Sequence, residues 1–145
     1  DQAMLYCDRR LTWGEDDKLA IGQVEKALKA AGVDKFDVKM PEYAQPAYTG
    51  KLYKQELYFP TWKIPADHTL VKAGVSAYEA LYDKKPFVDK WTFSTNCVAI
   101  CGRHKIPCIG FGPGDESQAH APNEITRVDD LEICAAFYAA LPYSL

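Results

Sequence analysis

A chain of 145 residues with a formal net charge of −3 carries no basic footprint for nucleic acid. Apolar residues make up 48% and charged residues 26%, the balance of a soluble globular protein of one domain or two small ones. No apolar run reaches the roughly eighteen residues a membrane span needs, and no secretory signal pattern opens the sequence.

The first residues, "DQAMLYCDRR", read as the middle of a strand, Met4 to Leu11, so the chain is expected to be a piece of a longer protein. "TWGEDD" is a turn that feeds a helix. From Asp16 to Ala31 the apolar positions Leu19, Ala20, Val24, Ala27, Leu28 and Ala31 recur at helical spacing, and Gly32 is a stop signal. Phe36, Val38 and Met40 alternate with polar residues and predict a half-buried strand. "PEYAQPAYTGKLYKQ" reads as irregular, and "ELYFPTWKIP" as a further strand confined to an edge by Pro60.

The character changes near residues 63 to 67. "PADHTLVKAGVSAYEALYDKK" predicts a helix capped by Asp67, with Leu70, Val71, Gly74, Val75, Tyr78 and Leu81 on one face. "KWTFSTN" predicts a short strand, "CVAICGRH" a short helix and "PCIGFG" a buried strand. "VDDLEICAAFYAALP" predicts a last helix, capped by Asp129 or Asp130 and stopped by Pro142. Residues 65–145 thus alternate as an α/β sheet with crossover helices, after a small α+β layer over residues 1–64.

Five cysteines, Cys7, Cys97, Cys101, Cys108 and Cys134, are an odd number without paired spacing. That argues against a disulfide framework and for a reducing cytosol, so a cytoplasmic location is expected. Cys97, Cys101 and His104 share a helix face and Cys108 follows. A structural zinc site is conceivable there, but small thiols packing a helix on a sheet is the preferred reading.

The loop Gly110 to Glu124, "GFGPGDESQAHAPNE", holds three glycines, two prolines and one histidine, His120. It follows a buried strand, where α/β proteins place ligands, and Pro122 stiffens it behind the imidazole. A loop histidine by itself is more often a surface or packing residue, and a zinc site needs three or four donors. Arg9 and Arg10 point to opposite faces if extended, so one can be solvated while the other offers its fork to a carboxylate. "STNC", Ser94 to Cys97, closes a strand and opens a helix. Its amides suit an anion or a polarised carbonyl, while Thr95 or Asn96 can equally serve as a plain cap.

"STNCVAICGRHKIPCIGFGPGDESQAHAPNE" resembles the carboxy-terminal signature of the co-catalytic zinc hydrolases, the family of aminoacylases, acetylornithine deacetylase, succinyl-diaminopimelate desuccinylase and glutamate carboxypeptidase. "YCDRRLTWGE" resembles that family's Asp-x-Arg strand, and within the family the chain is most similar to hydrolases linked to selenium metabolism. The resemblance implies the carboxy-terminal part of a lid and dimerisation domain over residues 1–64, and the end of a zinc-exopeptidase-like catalytic domain over residues 65–145. It implies that His120 is a metal ligand and that Arg10 contacts a substrate carboxylate. It implies that Gly112, Gly114, Ser94, Thr95 and Asn96 lie on the substrate side. Asn96 and Cys97 depart from the acid and glycine common in the family.

The intact site is expected to use two zinc ions, or cobalt or manganese in their place, to hydrolyse an amide in a small, dipeptide-like or N-acyl, carboxylate-bearing substrate. No catalytic residue is expected within this chain, since the general base and the other ligands belong to sequence outside it. The fragment alone is expected to be inactive, and the intact protein to be a homodimer through its lid, with neither nucleic acid nor membrane as a partner. The competing class is a non-catalytic α/β binding or dimerisation module that keeps only the scaffold. A third is a structural zinc protein built on Cys97, Cys101, His104 and Cys108.

Overall fold

A computed structural model of the chain describes residues 2–145. The Asp16 side chain accepts from the Leu19 amide at 2.8 Å and starts helix α1, Asp17–Ala30. Gly32, at φ 77°, ends it in a Schellman motif: its amide reaches the Lys29 carbonyl, and the Val33 amide reaches that of Leu28, both at 3.0 Å. Helix and stop are where the periodicity predicted them. No residue of α1 is buried.

The strand predictions fare differently. Neither Met4–Leu11 nor Phe36–Met40 pairs with another strand among the described residues. Phe36, Val38 and Met40 are nonetheless half-buried while Asp37 and Lys39 are exposed, so the alternation predicted the right face without a ladder. The stretch read as irregular holds a hairpin instead. Strand β1, Glu42–Tyr43, pairs antiparallel with β2, Gln55–Glu56, and a Pro46–Leu52 bridge extends it toward a turn closed at Gly50. The prolines hid it because each removes a donor yet is tolerated at a sheet edge. The remainder of "ELYFPTWKIP" is not a strand.

The core belongs to the second part. Helix α2, Thr69–Tyr82, buries Val71, Ala73, Gly74 and Ala77. Its cap is His68, not Asp67: the imidazole Nδ1 accepts from the Leu70 amide at 3.1 Å. Helix α3, Val128–Ala140, buries Cys134 and Phe137. Arg127 holds its cap position without a side-chain bond, and Asp129 and Asp130 lie inside the first turn, where the helix dipole favours them. Pro142 opens a 3-10 turn, Leu141–Ser144, that packs on both helices. The Tyr82 hydroxyl donates to the Ile133 carbonyl at 2.8 Å and ties α2 to α3.

"CVAICGRH" forms a π-helical turn, Val98–Arg103, closed by the His104 amide on the Ala99 carbonyl at 3.0 Å. The wider turn breaks the expected shared face: Cys101 is buried and His104 exposed. "KWTFSTN" and "PCIGFG" run without ladder partners among the described residues, so neither is a strand here. The second of these packs well even so. Ile109 reaches toward Gly74, where an added Cβ would lie 2.8 Å from its Cδ1. Gly110 lies under Trp91, and Phe111 stacks on Phe137 with centroids 4.3 Å apart. The mixture of helix with little strand is compatible with the α/β class.

Candidate functional site

The loop after Phe111 is held at both ends. The Tyr138 hydroxyl of α3 donates to the Phe111 carbonyl at 2.5 Å and accepts from its amide at 3.1 Å. Gly114 then turns at φ 98°, a conformation only glycine adopts without strain. Asp115 caps a short 3-10 turn, Glu116–Gln118, by accepting from the Ser117 amide at 2.8 Å and hydroxyl at 2.7 Å. Those bonds hold its carboxyl below the usual carboxylate range. Glu116 reaches back to Thr92, accepting from its amide and hydroxyl, both at 2.5 Å. The same pair of bonds lowers the Glu116 carboxyl from its ordinary 4.5.

His120 follows at φ 62° and Asn123 at φ 66°. The left-handed region is worth roughly 1–2 kcal/mol of strain for a residue with a Cβ, and such strain persists where the surroundings impose it. Here the imposing contacts are local. The Ala121 amide donates to the Gln118 carbonyl at 2.9 Å, and the Glu124 amide to the Ala121 carbonyl at 3.2 Å. The Glu124 carboxylate accepts from the His120 amide at 3.0 Å. The backbone of His120 is thereby fixed while its side chain stays exposed, which excludes the reading of a core-packing histidine. Glu124, one of the acids read near His120 in the sequence, is brought to its main chain and not to its ring, and Asn123 is a residue type that tolerates the left-handed conformation.

A cavity of about 230 Å³ lies beside this loop, between Gly114, Asp115, Gln118, Ile125, Arg127 and Asp130. Gly114 is the one expected substrate-side residue that lines it. Gly112 is exposed, with open space where a Cβ would stand.

Ser94, Thr95 and Asn96 lead into the π-helical turn. Cys97 holds its cap position without a side-chain capping bond, and the Thr95 hydroxyl accepts from the Cys97 amide at 3.2 Å. The Val98, Ala99 and Ile100 amides bond the carbonyls of Thr95 and Asn96. The two arginines differ in their partners, on a segment that is not a strand. Arg9 is bound to Glu15 at 2.7 Å and to Gln23, which ties the opening segment to α1. Arg10, 82% exposed, has only Asp8 at 3.6 Å. No contact among the described residues joins Arg10 to the His120 loop.

The thiols behave as a packed cluster. Burial, together with the neighbouring thiols of Cys97 and Cys101, pushes Cys108 up to about 12. No group of His, Cys, Asp and Glu side chains among the described residues is arranged to hold a metal ion. The loop therefore offers zinc one imidazole, short of the three or four donors a site needs, and does not complete a zinc centre from its own residues.

Residues 11–144 match the model of the family described as Peptidase family M20/M25/M40. The chain is 54% identical over 144 residues to an uncharacterized protein, YgeY, of Escherichia coli strain K12, and equally to YgeY of strain O157:H7. The match covers 99% of this chain and 36% of those relatives, so the chain spans about a third of their length. No solved structure matches it.

Proposed function

Since the chain belongs to peptidase family M20/M25/M40, we propose that it supplies the last metal-ligating imidazole, His120, and part of the substrate wall of a zinc-dependent amidohydrolase. The single observation that carries this reading is the backbone at His120. A strained residue with a solvent-facing ring, locked by Glu124 and by a glycine-proline loop, is built for presentation rather than packing. Membership of a hydrolase family gives that presentation a purpose.

In this reading residues 1–64 are the rear of a lid and residues 65–145 the end of a catalytic domain. Arg10, unencumbered at the surface, is free to reach the carboxylate of a substrate when the lid closes. Gly112 and Gly114 let the substrate pass close to backbone. When bound, zinc would polarise the scissile carbonyl. The remaining donors and the general base come from outside this chain, and the chain alone is inactive.

The test is a chimera in which this chain replaces the matched segment of the Escherichia coli relative, assayed with zinc on a panel of N-acyl amino acids and dipeptides. His120→Ala is expected to lower turnover by more than about 100-fold, since even groups that merely orient a ligand are worth 10- to 100-fold. Full activity of His120→Ala, or activity of the isolated chain equal to that of the chimera, contradicts the proposal. A chimera that folds and binds zinc nowhere favours the non-catalytic α/β module.

A further inference from the structure

The segment Gln55–Pro60 lies between two elements that do not touch each other. On one side is the start of α1. Burial, then the carboxylates of Asp17 and Asp16, push the Tyr58 hydroxyl up, while a bond from the Asp17 main chain works the other way. On the other side is the π-helical turn. Gly102 is buried there, and a Cβ on it would lie 2.8 Å from the Pro60 carbonyl oxygen and 3.0 Å from Pro60 Cγ. Its φ is not positive, so glycine is present for close approach and not for backbone freedom.

Arg103 completes the contact. Its Nη2 donates to the carbonyl of Tyr58 and, at 3.4 Å, to that of Glu56, and its guanidinium lies 5.9 Å from the centre of the Phe59 ring. One nitrogen serves both carbonyls while the guanidinium stays beside the ring face, a combination of reach and ring contact that the shorter lysine does not reproduce. The turn that carries Arg103 is fixed from inside by buried Cys101 and leads through Cys108 and Ile109 into the loop of His120.

We propose that Gly102 and Arg103 form a clasp that sets where the segment Gln55–Pro60, and with it the β1–β2 hairpin, stands relative to the loop that carries His120. Arg103 is a positioning residue in this sense, whatever chemistry the loop performs. Among the described residues neither α1 nor the hairpin packs on α2, α3 or the terminal 3-10 turn. α1 buries nothing, the hairpin is exposed, and the packed elements, α2, α3 and the terminal 3-10 turn, all belong to the second part.

The three native tryptophans report on the clasp directly. Trp13 stands before α1, Trp62 two residues past Pro60, and Trp91 in the second part over Gly110. In the full chain labelled with 5-fluorotryptophan, fluorine NMR is expected to show the Trp62 line of Arg103→Ala displaced by more than its width. The Trp91 line keeps its place. Arg103→Lys is expected to displace Trp62 as well, because its ammonium sits one bond short of Nη2 and gives up the guanidinium's place beside the Phe59 ring, and Gly102→Ala to do so by pushing Pro60 away. A Trp62 line unmoved in both Arg103→Ala and Gly102→Ala overturns the proposal. So does a collapse of Trp62 and Trp91 together to their unfolded positions in Arg103→Lys, which would make Arg103 a general stabiliser of the fold.

Discussion

His120 is defined as much by its backbone as by its ring. At φ 62° a β-branched side chain clashes with its own carbonyl, whereas asparagine tolerates the conformation. In the zinc-free chimera His120→Asn should therefore leave thermal unfolding unchanged, and His120→Val should lower stability by about 1–2 kcal/mol. Equal melting of the two would show that the left-handed turn is not imposed. Cys108 invites a second prediction at this scale. A thiol pushed up to about 12 by burial and by Cys97 and Cys101 holds almost no thiolate near neutrality. Iodoacetamide at pH 8 should modify exposed Cys7 long before Cys108, as read by mass spectrometry of the peptides. Rapid labelling of Cys108 would refute a buried cluster. The turn-rich setting of His120 was legible from its glycines and prolines. Its strain was not, because φ is a property of the closed loop and not of any residue type.

At the scale of elements, what could be read from sequence divides by the range of the hydrogen bonds. All three helices were read from the sequence, α1 and α2 by the repeat of their apolar faces and α3 by its start and stop signals, since their bonds close within a turn. Their caps were less legible. His68 and Arg127 took positions expected of aspartates, because any residue with extended backbone at that point can begin the helix. The strands predicted at Met4–Leu11, Lys90–Asn96 and Pro107–Gly112 lack ladders among the described residues, since a ladder depends on a partner strand elsewhere and not on local pattern. The tie between Glu116 and Thr92 stands in for such a ladder and links 24 positions of sequence. Its pH dependence has a definite sign. Two bonds from Thr92 lower the Glu116 pKa, so the tie contributes fully above the ordinary 4.5 and is lost as pH falls through the lower folded value. The Thr92 amide proton shift should stay constant from pH 7 to about 5 and move only below that range. A midpoint above 4.5 would reverse the assignment.

At the scale of the molecule, surface area decides the question of autonomy. A compact protein of 16.2 kDa exposes about 7,500 Å² by the size scaling of folded monomers. This chain exposes 11949 Å². The excess is apolar in part: Phe87, Val88, Trp91, Phe93 and Ile106 stand open along the two unpaired segments of the second part. The buried hydrophobic side chains are confined to Val71, Ala73, Ala77, Cys101, Cys134 and Phe137 among the described residues. So small a core fits a chain that acts as one contributor to a larger site, as does a span of 36% of its relatives' length. The helices were legible because their pattern is local, and their presence with little strand is compatible with the α/β class. The sheet expected in residues 65–145 is not seen among the described residues.

Zinc binding by the chimera tests the central claim most directly. Equilibrium dialysis is expected to find two zinc ions per chimera, and His120→Ala is expected to lose or greatly weaken one of them while the isolated chain binds none tightly. Undiminished binding of both ions by His120→Ala would contradict the assignment of His120 as a ligand.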